Sequence, residues 1–433
     1  MASGLIIAAP SSGAGKTTVT LALLRLLARD GVAVRGAKSG PDYIDPRFHE
    51  AACGATCVNL DAWAMTPPRV AALADGAGLL IIEGAMGLFD GAPPDGRGAA
   101  ADLARQLGLP VILVVDAGRM AGSVAPLVAG FAGHDPGVRL AGVILNNVGS
   151  ERHEAMLRRA LGQTGLPVLA ALRRSRDLGH PARHLGLVQA GERGDLDTFL
   201  DTAADALAAS LDRQAALALA APLPAAAPHA GMPPPARRIA VARDTAFAFT
   251  YPHMLQDWRA AGAELRFFSP LADEPVPEAD FVFLPGGYPE LHAGRIAAAD
   301  TFMASLRRAA RDTVIYGECG GYMVLGTGLT DADGQWHAMA GLLGLETSFA
   351  ERKLHLGYRR LVPLRGPFDR PLAGHEFHYA STRATEGRPL FDATDAEGGA
   401  LPPMGLSEGH VHGSFAHVID AAPSVLEGLN EPV

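Results

Sequence analysis

One stretch near the start, GLIIAAPSSGAGKTT (residues 4–18), constrains this chain more than any other. An apolar run ends at Pro10, a glycine-bearing turn follows, and TTVTLALLRLLARDG then carries leucines at helical spacing up to Gly31. A buried strand that feeds a helix in this way is half of a crossover unit, and such units build parallel sheets. Gly13 and Gly15 allow a tight turn in which successive N–H groups face one point, and the helix N-terminus adds its dipole. The pattern GxxxxGK[ST] is met at Gly15, Lys16 and Thr17, with Pro10 where the first glycine usually stands. Gly13, Gly15, Lys16, Thr17 and Thr18 are therefore the expected ATP cradle: Lys16 reaches the outer phosphates and the Thr17 hydroxyl holds Mg2+.

Four further runs read as strands: VAVRGAK (32–38), GLLIIEGA (78–85), VILVVDA (111–117) and AGVILNNV (141–148). All are apolar on both alternations, as strands covered by helices on both faces are. The expected fold is α/β, a doubly wound parallel sheet whose ligands bind beyond the carboxyl ends of the strands. Lys38, Asp42, Asp45, Glu83, Asp90, Asp116, Asn146 and Asn147 all stand at or just after such ends. Glu83 and Asp45 join Thr17 as candidate Mg2+ ligands, and Asn146 is the candidate for the adenine edge. Asp42, Tyr43 and Asp90 are expected to face the second substrate. Asp116 serves equally well as a structural cap.

Residues 215–236 turn to alanine and proline, which suits a linker. The expected division is 1–214, a linker at 215–236, and 237–433. The second part repeats the α/β pattern in RIAVA, ELRFFSP, DFVFLPGG and TVIYGECG. GECGG (317–321) has the form G-x-C-x-G of a sharp strand-to-helix turn that exposes a nucleophile, here Cys319. A helix N-terminus beneath it should favour thiolate. PGGYPE (285–290) offers the Gly286 and Gly287 amides as an oxyanion site. EGHVHGSFAHV (408–418) offers His410, His412 and His417 as bases, and His417 is the choice.

A formal charge of −9 argues against a nucleic-acid surface, so anionic ligands need local basic groups. ERKLHLGYRR (351–360) supplies Arg352, Lys353, His355, Arg359 and Arg360, a run equally suited to a solvated face. Three cysteines make no disulfide framework, and Cys53 and Cys57 are read as packing. In GHEFHY (374–379), His375 and His378 lack the i,i+4 spacing of a zinc helix, so substrate contact is preferred over zinc. No apolar run is long enough for a bilayer and no leader pattern is visible; a cytoplasmic protein is expected, with no membrane partner. The assembly is left open, a homodimer included.

With both loops in view, the chain resembles the cobyrinic acid and hydrogenobyrinic acid a,c-diamide synthases of the cobalamin pathway. The resemblance rests on APSSGAGKTT, KSGPDYIDPRFH, EGAMGLFDG, VILVVDA, GVILNNV, RHLGL (183–187), LPGGYPE, GECGGYMVLG, GHEFHY and the SFAH tail. It implies a dethiobiotin-synthetase-like ATPase domain followed by a class I glutamine amidotransferase domain, with Cys319 as nucleophile and His417 as base. The implied substrates are glutamine, ATP and a corrin polycarboxylic acid whose a and c acetates become amides through acyl phosphates. His375 and His378 are then expected to touch the corrin acid. Many class I amidotransferases follow the histidine with proline and glutamate; Val418 and Ile419 stand here, so no triad carboxylate is visible in that position. Abundant glycine, alanine and arginine suit a GC-rich bacterium, where the metal-free corrin is the expected substrate. Rival readings are cobyric acid synthase, amidation of nickel sirohydrochlorin, and a partitioning ATPase with an inactive glutaminase.

Overall fold

The computed structural model describes residues 2–179, 182–183, 186–226, 229 and 231–423. His184 and Leu185, in the RHLGL motif, lie outside these. The chain divides into two compact units, residues 1–229 and 230–433.

In the first unit the apolar runs become β1 (Ser3–Ala8), β2 (Val34–Ser39), β4 (Leu79–Glu83), β5 (Val111–Asp116) and β6 (Leu140–Val148); β3 (Val58–Leu60) and β7 (Val168–Arg173) complete the set. Their order is β3-β2-β4-β1-β5-β6-β7, and every pairing in that path is parallel. The chain leaves β1 toward one edge and later returns to fill the other side. The loop after β1 is thus the point where strand order reverses, the usual place for a ligand crevice. Helix α1 (Lys16–Arg29) starts at the end of that loop, and α2 (Asp45–Cys53) follows β2.

The expected linker begins as ordered structure. Arg213–Ala218 is a helix, and Ala221–Pro222 pairs antiparallel with Ser3 and Gly4. Alanine is the strongest helix former, so the alanine-rich first part of the stretch coils while the proline-rich part does not.

The second unit has a six-stranded sheet built on β8 (Arg238–Ala242), β9 (Glu264–Phe268), β10 (Phe281–Leu284) and β11 (Val314–Glu318). A second, five-stranded sheet contains β12 (His355–Pro363) and β13 (Leu372–His378). From the C-terminal region, β14 (Leu406–Glu408) and β15 (Val411–Ser414) join the first sheet and β16 (His417–Ala421) the second. Strand β15 pairs parallel with β11, aligning Glu318 with Ser414, and β16 pairs antiparallel with β13, aligning His375 with His417. The two residues between β15 and β16, Phe415 and Ala416, therefore carry the chain from one sheet to the other beside the Cys319 turn. No helix among the described residues is long and apolar enough to cross a membrane.

Candidate active site

The phosphate loop has the backbone its glycines foretold: Gly13 and Gly15 have φ of 80° and 91°. Gly15 is also pressed from outside, because a Cβ there would stand 2.0 Å from Asn146 Nδ2. Asn146 donates from that nitrogen to the Ala14 carbonyl at 3.0 Å. Its amide thus fixes the loop as well as lining it. A cavity of about 440 Å³ opens here, bordered by Gly13, Lys16, Thr18, Asn146, Asn147 and Arg173 among others. Lys16 donates to the carbonyls of Met86 and Ser11. Burial lowers its pKa against the pull of Glu83.

Beyond the loop, three sequence-distant groups meet. Thr17 Oγ1 donates to Glu83 Oε1 at 2.7 Å and stands 3.5 Å from Asp45 Oδ2. Lys38 lies among them, its ammonium 2.6 Å from Asp45 and 2.8 Å from Glu83. Burial works to lower the Lys38 pKa, but Asp45, Glu83 and Asp42 outweigh it and raise it. Asp42 accepts from the Ile44 and Asp45 amides and so caps the start of α2, while burial beside Asp45 pushes its carboxyl up to about 7. Tyr43 is buried, and Asp90 accepts from the Gly87 amide at 2.9 Å.

His49 is the residue the sequence reading passed over. Its Nε2 pairs with Glu83 Oε2 at 2.6 Å, and its Nδ1 lies 3.3 Å from Cys57 Sγ. It orients the other oxygen of the carboxylate that Thr17 and Lys38 use. The signal available was its place at the end of KSGPDYIDPRFH. Cys57, read as packing, has this ring as its neighbour.

In the second unit, Cys319 stands at φ 45°, ψ −103°, between β11 and the short helix α3 (Gly320–Leu325). A non-glycine residue holds such a conformation only when its surroundings enforce it. Here Cys319 N donates to Ser414 O at 2.8 Å, and the flanking glycines leave no space: a Cβ at Gly321 would stand 1.9 Å from Leu284 O. Gly286 separates nucleophile and base. A Cβ there would lie 2.2 Å from His417 Cε1, 3.0 Å from its Nε2 and 3.2 Å from Cys319 Cβ. Gly287 packs under Ala246, and a Cβ at Gly320 would lie 3.1 Å from Gly287 N. Both expected oxyanion glycines thus adjoin the nucleophile turn.

The thiolate expectation is corrected. Burial, reinforced by the charge of Glu290, pushes the Cys319 thiol well above its ordinary value, and the Gly320 N–H offsets only part of this. The same desolvation, with His375 and His378 adding, takes His417 down to about 3. Burial thus opposes charge on both the Cys319 and the His417 side chains.

His375 and His378, expected at the corrin acid, are buried on β13 beside this pair. His378 pairs with Glu376 at 3.0 Å and stacks on Phe415 at a centroid distance of 4.1 Å. With His355 across the ribbon, Glu376 and His378 bring ligand atoms within 4.8 Å of one another. Arg359 already bonds Glu376 Oε2 through two nitrogens, at 2.9 and 2.8 Å, so a fixed cation neutralises the one carboxylate of the trio.

A phosphate loop in a doubly wound unit and a cysteine–histidine pair on a strained elbow define a glutamine amidotransferase with its own nucleotide-binding unit. Comparisons with known proteins agree over both parts. Residues 5–188 match the family described as the CobQ/CobB/MinD/ParA nucleotide binding domain. Residues 238–424 match the CobB/CobQ-like glutamine amidotransferase domain. The chain is 56% identical to a hydrogenobyrinate a,c-diamide synthase of Brucella anthropi over 96% of its own length and 98% of that protein. Proteins of the same name from Rhizobium meliloti and Rhodobacter capsulatus are 56% and 54% identical, covering 96% of this chain and 99% and 98% of theirs. The chain belongs to the hydrogenobyrinate a,c-diamide synthase family, enzymes of glutamine-dependent amidation in cobalamin biosynthesis.

Proposed function

We propose that this enzyme amidates the a and c acetates of hydrogenobyrinic acid, with nitrogen from glutamine and energy from ATP. The observation that carries the reading is the Cys319 elbow set against His417 across Gly286, in a chain that also holds a phosphate loop. The thiol proton passes to His417 Nε2 as Sγ bonds the glutamine amide carbon. The oxyanion so formed is received by the Gly286 and Gly287 amides. On collapse, the proton passes from Nε2 to the leaving nitrogen, releasing ammonia and a γ-glutamyl thioester that water cleaves. Because burial opposes charge on the thiol, the proposed transfer occurs with glutamine in place.

At the loop, Gly13, Gly15, Lys16, Thr17 and Thr18 hold the ATP phosphates, and Asn146 lines the pocket toward the nucleoside. An acetate oxygen of the corrin attacks the γ-phosphorus, ADP leaves, and ammonia displaces phosphate from the acyl phosphate. Asp42, Tyr43 and Asp90 adjoin this reaction and are the residues proposed to receive the acid. Thr17, Glu83 and Asp45 form an all-oxygen donor set suited to Mg2+. That cation would supply charge neutralisation at the transferred phosphoryl group. Lys38 offsets part of the charge of Glu83 and Asp45, which keeps the carboxylates gathered.

The metal-free substrate is preferred because the relatives carry its name; the amidated acetates lie on the ring periphery, so the cobalt acid is expected to react as well, at a lower rate. Mass spectrometry of products from a panel of corrin acids with ATP, Mg2+ and glutamine tests the chemistry. The expected product has two carboxyl OH groups replaced by NH2 and is therefore slightly lighter than the acid, formed with a higher kcat/KM from hydrogenobyrinic acid than from its cobalt form. A tenfold preference for the cobalt acid, about 1.4 kcal/mol of transition-state binding, would overturn the substrate assignment.

A further inference from the structure

The tail after His417 carries no acid at the following two positions, yet the ring needs a partner on its far side. An imidazole that accepts a proton at Nε2 works only in the tautomer with hydrogen on Nδ1, and a carboxylate at Nδ1 selects that tautomer and steadies the imidazolium. In this fold the two ring nitrogens face different groups. Nε2 lies toward Gly286 and the nucleophile, and Nδ1 lies 3.7 Å from Oε2 of Glu318. We infer that Glu318, the residue immediately before the nucleophile, is the positioning acid of His417. The inference rests on the glutaminase reading above.

The strained turn makes this possible. Cys319 at φ 45° points its thiol one way while the preceding residue, the last of β11, points into the joint between the two sheets. There Glu318 is buried, at 2% side-chain exposure against 0% for His417. Its Oε1 accepts the Val418 amide at 3.0 Å, so the carboxylate is pinned to the strand that carries the base and its second oxygen is left toward the ring. Asp420, the nearest acid along the tail, instead accepts from the Ala421 amide at 2.8 Å. At 3.7 Å the Glu318–His417 contact is longer than a hydrogen bond; catalytic bonds commonly tighten when substrate binds. The groups around the pair are Tyr316 beside Glu318 and His375 and His378 beside His417. Burial holds Glu318 up to about 8, so an imidazolium forming at His417 would draw the proton equilibrium toward the carboxylate.

The test is glutamine hydrolysis by the full chain, with Cys319→Ala as the reference for loss of the nucleophile. Glu318→Gln is expected to lower kcat roughly 100-fold or more, as a wrong tautomer does, with KM for glutamine within about twofold. Glu318→Asp should recover part of the rate. The ¹⁵N shifts of His417 in the unaltered enzyme, read above pH 8 where Glu318 is ionised, should show hydrogen on Nδ1, a readout that needs no variant to fold. A proton on Nε2 there, or a folded Glu318→Gln enzyme with kcat within threefold of wild type, overturns the assignment while leaving the glutaminase reading intact. Absence of any Cys319-dependent hydrolysis overturns both.

Discussion

In the proposed mechanism Cys319 and Lys16 serve separate halves of one reaction, and ammonia is the only intermediate the halves share. Cys319→Ala should therefore abolish synthesis from glutamine but retain synthesis from a high concentration of ammonium salt. Lys16→Ala should lose both, since removing charge from a developing phosphoryl transition state costs several kcal/mol. Product formation with each nitrogen source decides the matter: equal loss of both activities in a folded Cys319→Ala enzyme would sink the two-site scheme. The residue scale also shows where sequence reading stops. Motif spacing picked out Cys319, Lys16 and Thr17, because their roles follow from one local turn. It passed over His49 and Glu318, whose meaning lies in a partner, Glu83 in one case and His417 in the other. It also expected a thiolate from the helix N-terminus. The desolvation of a cysteine only 1% exposed outweighs the N-terminus of a six-residue helix.

At the scale of elements, the turns succeed by omission of side chains. Gly286→Ala places a methyl 2.2 Å from His417 Cε1, which no small shift accommodates. Glutaminase kcat should fall by about 100-fold, with the thermal midpoint moved by only a few degrees because the clash can be relieved by turning the ring. Steady-state glutamine hydrolysis and a melting curve measure both; an unchanged kcat would mean that His417 does not work from this position. Gly15→Ala is strained by φ 91° and by Asn146 at 2.0 Å, so nucleotide affinity measured by calorimetry should drop at least tenfold. The parallel strands of the first unit were legible because burial on both faces leaves a continuous apolar run. The second sheet of the second unit was not. Strand β12 reads HLGYRRLVP, and its basic residues look like a solvated run. Only pairing with β13 turns Arg359 onto Glu376.

Across the whole molecule, buried histidines set the acid limit of stability. Burial holds His375 and His417 down to about 3 and His412 to about 4, whereas an unfolded chain protonates its histidines near 6.5. Between these values the unfolded state binds more protons, so stability is lost as pH falls from about 6.5 toward 4. Glu318, raised to about 8, and Asp42, raised to about 7, act oppositely, since the native state keeps protons the unfolded chain releases above its ordinary carboxylate range. Two groups against three leave a net loss of stability below about pH 6, where the histidines of the unfolded chain are mostly protonated. Thermal midpoints at pH 6, 5 and 4 should decline in that order; a flat series would show that these rings are solvated. The sequence alone determined the two-part α/β plan, the phosphate loop and the nucleophile turn, because each is written in residues adjacent along the chain. Only the tertiary structure decided that Lys38 offsets part of the charge of Glu83 and Asp45, that His378 meets Glu376 rather than open solvent, and that an acid stands behind His417. Those are pairings of buried charge and dipole between strands far apart in sequence, and burial is a property of the packed fold that no local pattern of residues records.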